Sequence, residues 1–105
     1  MTMFDDQRRA EEAQFARAEE MTFRITARRN RLLGLWAAER MGLSGPPADA
    51  YAKEVVDAEF SGGDRHVIAK IVADLGAKGH TVTEAQVKFE LDHLAEQAKQ
   101  QVMQE

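Results

Sequence analysis

The stretch MTFRITARRNRLLGLWAAERM, residues 21–41, decides the fold. Met21, Ile25, Leu32, Leu33, Leu35, Trp36 and Met41 supply bulk at helical spacing, and Gly34 is the one internal breaker. Gly42 and the run Ser44-Gly45-Pro46-Pro47 then end the helix. A cluster such as Leu32, Leu33, Leu35 and Trp36 belongs by default to a helix-bundle core.

Toward the N-terminus the helix continues but its apolar content collapses. From Phe4 to Glu20 the only large apolar side chains are Phe4 and Phe15, set among alanines, acids and arginines. Without Pro or Gly, this Ala-, Glu-, Gln- and Arg-rich stretch is a fair helix former. It is too sparse in hydrophobes to offset its own ordering entropy. Residues 1–20 therefore read as a helix-prone, mobile arm: a solvated tail, or a helix that orders in another protein's groove.

Toward the C-terminus three more helices follow, and residues 21–105 read as the folded domain. Pro46 or Pro47 suits a first helical turn, where no backbone donor is needed, and Tyr51, Ala52, Val55, Val56 and Phe60 are expected on one face. After Ser61-Gly62-Gly63, Asp64 is the expected N-cap of a third helix with Val67, Ile68, Ile71, Val72 and Leu75 on its apolar side. Thr83 and Gln86 form a capping box for the fourth, with Val82 placed to staple onto Val87. Val87, Leu91, Leu94, Ala98 and Val102 then make its stripe. No useful stretch alternates with period two, so the chain is all-α: a four-helix bundle with a long first helix.

Length sharpens the contrast. A helix from Phe4 to Met41 runs roughly 57 Å at 1.5 Å per residue, whereas the second and third reach only roughly 20 Å. They can cover the half of the first helix that begins at Met21 and little more. The N-terminal half must project, fray or fold back.

Composition narrows the function classes. The chain has 105 residues, 14 Lys and Arg against 18 Asp and Glu, and no cysteine. Disulfides, thiolate catalysis and cysteine zinc sites are excluded together. A net charge of −4 argues against general nucleic-acid binding. No apolar run approaches a membrane span, and the acidic, polar start reads as lacking a secretory signal. A cytoplasmic protein, with no membrane insertion, is the expectation.

Few residues carry candidate chemistry. Arg24, Arg28, Arg29 and Arg31 form the densest basic cluster, and several guanidinium groups could grip a nucleotide phosphate, giving weak ATP or ADP binding. The plainer reading is a solvated flank that balances Glu19, Glu20 and Glu39. His66, His80 and His93 lack metal spacing, and Glu90-x-x-His93 has no second copy. The acid pairs Asp5-Asp6, Glu11-Glu12 and Glu19-Glu20 sit on the stretch least able to form a pocket, so catalytic roles are not expected of them. An enzyme, a metal site and an obligatory cofactor are all unexpected.

Three stretches together resemble the ATPase inhibitor zeta subunit of the alphaproteobacterial F-type ATP synthase. They are Phe4-Asp5-Asp6 with Arg9-Ala10 and Phe15-Ala16; Ala27-Arg28-Arg29-Asn30-Arg31-Leu32-Leu33-Gly34-Leu35-Trp36-Ala37; and Ala50-Tyr51-Ala52-Lys53-Glu54-Val55-Val56 leading to Phe60. The resemblance covers essentially the whole chain. It implies a four-helix bundle with a mobile N-terminal inhibitory arm that enters a catalytic α/β interface near the rotor and blocks ATP hydrolysis. It also implies Phe4, Asp5, Asp6, Arg9, Ala10 and Phe15 as the inhibitory contacts, and the α, β and γ subunits of the synthase head as partners. By the same resemblance the protein lies at the inner membrane through the synthase. A monomer is the expectation for the free protein, although the acidic arm and the arginine-rich segment could pair between chains. Gln7-Arg8 stands where the family pattern has Arg followed by an acid, and Arg17-Ala18 replaces a more polar or acidic pair.

Overall fold

The computed structural model describes residues 3–105, with side chains from Asp6 onward. Four helices follow one another: α1 Met3–Arg40, α2 Pro46–Ala58, α3 Gly63–Ala77 and α4 Glu84–Met103, with a 3₁₀ turn at Glu59–Ser61. No strand occurs among the described residues. The C-terminal half of α1 is the central element. It packs chiefly on α2 and α4, while α3 closes the bundle against both.

Helix ends follow local chemistry. Gly42 adopts φ 78° and closes α1 with a Schellman motif, in which Leu43 N–H bonds the Ala38 carbonyl at 2.9 Å and Gly42 N–H that of Glu39 at 3.0 Å. Gly79, at φ 84°, repeats it for α3, with His80 N–H on the Leu75 carbonyl at 2.9 Å. The α4 capping box is complete: Gln86 N–H donates to Thr83 Oγ1 at 3.1 Å and Thr83 N–H to Gln86 Oε1 at 2.9 Å.

The core is aliphatic. Leu33, Val55, Val67, Ile71, Leu75 and Val87 are fully sealed from solvent, and Leu91, Leu94, Ala98 and Val102 continue the α4 stripe. Leu32, Leu35 and Trp36 are half-buried against it, and the Arg40 guanidinium caps the Trp36 ring at 4.1 Å. Gly34 marks the closest crossing of α1 and α2. A Cβ there would lie 2.7 Å from Ala52 Cα and 3.2 Å from the Val55 side chain. The absent side chain lets the two backbones meet, so this glycine joins helices rather than breaking one.

Two local expectations are corrected. Asp64 does not cap α3: Gly62 occupies that position with no side-chain bond, and Asp64 lies in the first turn, held by Arg29. Phe60 does not share the buried α2 face, because the 3₁₀ turn swings it out to 71% exposure.

The molecule measures 64 × 25 × 21 Å with a radius of gyration of 17.4 Å. A compact chain of this size has a radius near 13 Å. The excess length is α1, whose N-terminal half projects beyond the other helices.

Candidate functional site

Every residue from 6 to 24 is exposed, on a helix that continues without a break into the central element of the core. Of the expected inhibitory contacts, Asp6, Arg9, Ala10 and Phe15 all lie on this projecting half. The side chains of Phe4 and Asp5 lie outside the described residues. Phe15 is 67% exposed, so its ring is held in water with no bundle surface against it. Arg8 and Glu12 approach at 3.8 Å, an exposed i,i+4 pair that supports the helix only slightly.

At the root of this arm the four arginines part company. Arg29 turns inward and is 9% exposed. Its Nη2 donates to Asp64 Oδ1 at 2.7 Å and to Glu59 Oε2 at 3.2 Å, and its Nε to Asn30 Oδ1 at 3.1 Å. Asn30, fully buried, donates from Nδ2 to Glu59 Oε2 at 2.7 Å. The network ties α1 to the junction of α2 and α3, and leaves Arg29 no face for a phosphate. Burial pushes the Glu59 carboxyl above its ordinary pKa, and the hydrogen bond from Arg29 holds that of Asp64 below.

Arg24, Arg28 and Arg31 face outward. Arg24 Nη2 donates to Glu105 Oε2 at 2.8 Å, Arg28 binds the other Glu105 oxygen, and Arg28 Nη1 also reaches Gln101 Oε1 at 3.1 Å. These bonds hold the Glu105 carboxyl below its usual pKa, with Arg28 the larger influence. Arg31 meets Asp49 at 3.8 Å, with both side chains more than half exposed. The flank is thus balanced by Glu105, Glu59, Asp64 and Asp49, not by Glu19, Glu20 and Glu39. Arg24, Arg28 and Arg31 join Lys53 along an open groove of about 380 Å³.

A second polar anchor ties α2 to α3. Tyr51 Oη donates to Asp74 Oδ2 at 2.8 Å, and Lys70 pairs with the same carboxylate at 3.0 Å. Burial, reinforced by Asp74, keeps the phenol protonated well above its usual range. This is architecture, not an active site. His66, His80 and His93 are all exposed, and no group of three or more metal-ligating side chains converges among the described residues. No described helix is long and apolar enough to cross a membrane.

Sequence reasoning located the arm and the arginines. It missed the roles of Asn30 and Glu59, whose hydrogen bonds join residues about 30 positions apart and leave no local signal.

Comparison with known proteins gives a family and a solved structure. A family model described as ATPase inhibitor subunit zeta matches residues 1–101. A structure solved in solution by NMR shares 44% identity and superposes with a TM-score of 0.70, over 80% of this chain and 96% of the other. No curated protein matches.

Proposed function

The chain belongs to the ATPase inhibitor subunit zeta family, and from that premise we propose that the projecting half of α1 is the inhibitory element. Members of this family regulate an ATPase and are not themselves catalytic. The arm enters a catalytic α/β interface of the F-type synthase head near the rotor, as a helix, and stops rotation in the hydrolytic direction. Residues 21–105 form the bundle that carries it. One observation supports this above all: residues 6–24 form an exposed stretch of helix continuous with the part of α1 that packs at the centre of the bundle.

Continuity matters mechanically. A wedge must resist being pushed aside, and α1 is anchored by Asn30, Leu33, Ala37 and Ala38, all fully buried. Force on the arm therefore passes into the core rather than into a hinge loop. Arm residues that order only on binding cost about 2–5 kcal/mol of the gross contact energy. Phe15, and by resemblance Phe4, are the aromatic anchors that offset it. Acting on the synthase places the protein at the cytoplasmic face of the inner membrane, held there by its partner.

The nucleotide reading has less support. Arg29 is committed to Glu59 and Asp64, and a phosphate at Arg24 and Arg28 must first displace Glu105. The deciding test is hydrolysis by the cognate head in the presence of the Phe4→Ala, Phe15→Ala double variant. The bundle should unfold at the wild-type temperature while inhibition is lost. Undiminished inhibition rules out the wedge.

A further inference from the structure

The 3₁₀ turn is fastened to the root of the arm by two neighbouring residues, Glu59 and Phe60. Phe60 meets Phe23 of α1 with ring centroids 6.0 Å apart, tilted by 40°. Glu59 Oε2 accepts from Asn30 Nδ2 at 2.7 Å and from Arg29 Nη2 at 3.2 Å. Phe23 and Asn30 lie about two turns apart on α1 and so share a face of it. Both line a slot of about 70 Å³, together with Ala27, Val56, Glu59 and Phe60. A carboxyl group therefore sits beside the apolar seat on which Phe23 and Phe60 meet.

Two carboxyls compete here for one guanidinium. Asp64 has the better hold, at 2.7 Å from Nη2 and 3.4 Å from Nη1 of Arg29, whereas Glu59 shares Nη2 at 3.2 Å. Arg29 Nε is taken by Asn30 Oδ1. Lys88 of α4 favours the charged form of Asp64 from a distance, and is itself bound by Asp92 at 2.8 Å. Arg29 and Asp64 balance, so an ionised Glu59 leaves an unmatched negative charge beside an apolar slot. A proton on Glu59 cancels that charge and supplies a donor for Asp64, its hydrogen-bond neighbour. Burial favours this protonated form. The ionised form needs water instead, and the slot is large enough to admit it.

We propose that Glu59 is a proton-operated latch on the root of the arm. Protonated, it keeps the slot dry and Phe60 seated on Phe23; ionised, it draws water into the slot and loosens that contact. Acid therefore tightens the turn against α1. No break in α1 separates Phe23 from Phe15, so a tighter seat at Phe23 restrains the arm that projects beyond it. The latch deepens the inhibitor reading by giving the arm an acid-favoured, better-held state. It is nevertheless a property of the free protein, and its test needs no synthase.

That test is NMR of the full-length protein from pH 4 to pH 8. It follows the Glu59 side-chain carboxyl carbon and the nuclear Overhauser contact between the Phe23 and Phe60 rings. In the wild type the contact should weaken as pH rises through the Glu59 midpoint, above 4.5, and recover on return to acid. Arginines hold Glu105 and Asp64 below their ordinary values, so their steps fall at lower pH. Glu59→Gln keeps an acceptor for Asn30 and a donor for Asp64. It should hold the contact undiminished at pH 8 and abolish the step. A contact unchanged across the Glu59 midpoint in the wild type, or one that still weakens there in Glu59→Gln, would overturn the latch. Neither result touches the inhibitory role of the arm, which hydrolysis tests separately.

Discussion

Replacing Gly34 by alanine should destabilise the bundle, against the usual direction of a glycine-to-alanine change in a helix. Propensity alone would gain about 1 kcal/mol. The new Cβ, however, would sit 2.7 Å from Ala52 Cα and 3.2 Å from Val55 Cβ and Cγ2. The nearer obstacle is backbone, so no rotamer change relieves it. The helices must part by about 0.7 Å to reach ordinary contact, and the shift is felt by Leu33, Ala37 and Val55, all fully buried. Overpacking of this kind costs about 1–3 kcal/mol. With an immovable obstacle the upper half of that range applies, leaving a net loss on the order of 1–2 kcal/mol after the propensity gain. For a domain of this size that lowers the unfolding midpoint by roughly 4–12 °C. Trp36, the single tryptophan, lies two residues away and reports unfolding of this region by fluorescence. Gly76→Ala is the control, since nothing lies within 4 Å of a Cβ there; it should be neutral or stabilising by up to about 1 kcal/mol. A Gly34→Ala protein that unfolds at or above the wild-type midpoint would refute the close-crossing argument.

Glu59 has its pKa raised above 4.5 by burial, so its contribution to stability is complete below 4.5 and is lost as pH rises through the raised folded value. Asp64 runs the other way: held below 3.8 by Arg29, it stabilises above 3.8 and the gain is lost as pH falls through its lowered value. Urea unfolding across pH 3–8 should therefore show Glu59→Gln without the wild-type decline above 4.5, and at least as stable near neutrality; a decline that persists in the variant would remove Glu59 as its cause. Thr83→Ala removes the Oγ1 that accepts from Gln86 N–H, leaves the backbone N–H of residue 83 to donate to Gln86 Oε1, and should cost about 1 kcal/mol. Hydrogen exchange should speed up at the first turn of α4 and leave the α3 amides unaffected, whereas uniform exchange changes would contradict a local cap.

The helices were legible because their signals are local. Gly42, the Pro46-Pro47 pair and the Thr83–Gln86 box act within a few residues of each boundary, and periodicity found the α4 stripe complete. The errors fall where a distant residue competes. Asp64 reads as an N-cap by position, but a buried arginine 35 residues earlier offers it charge-assisted hydrogen bonds instead. Phe60 follows the α2 period only until the 3₁₀ turn changes the rotation per residue. The arginine flank looked self-balancing because Glu19, Glu20 and Glu39 are near in sequence, yet Glu105, 77 residues from Arg28, is the residue that reaches it. Gly34 read as a weakness in the helix, since nothing local reveals that Ala52 lies against it. The arm was legible by subtraction: a helix-forming stretch with too few hydrophobes to find a place in the core. What it touches cannot be written in its own periodicity, because the groove belongs to another protein.

The most direct measurement is ATP hydrolysis by the cognate synthase head, titrated in parallel with the full chain and with residues 21–105. The truncation removes only exposed helix among the described residues and leaves every core residue in place. Full-length protein should inhibit to saturation, and the truncated bundle should compete for binding without inhibiting. Equal inhibition by both, or by neither, would contradict the assignment of the arm as the inhibitory element.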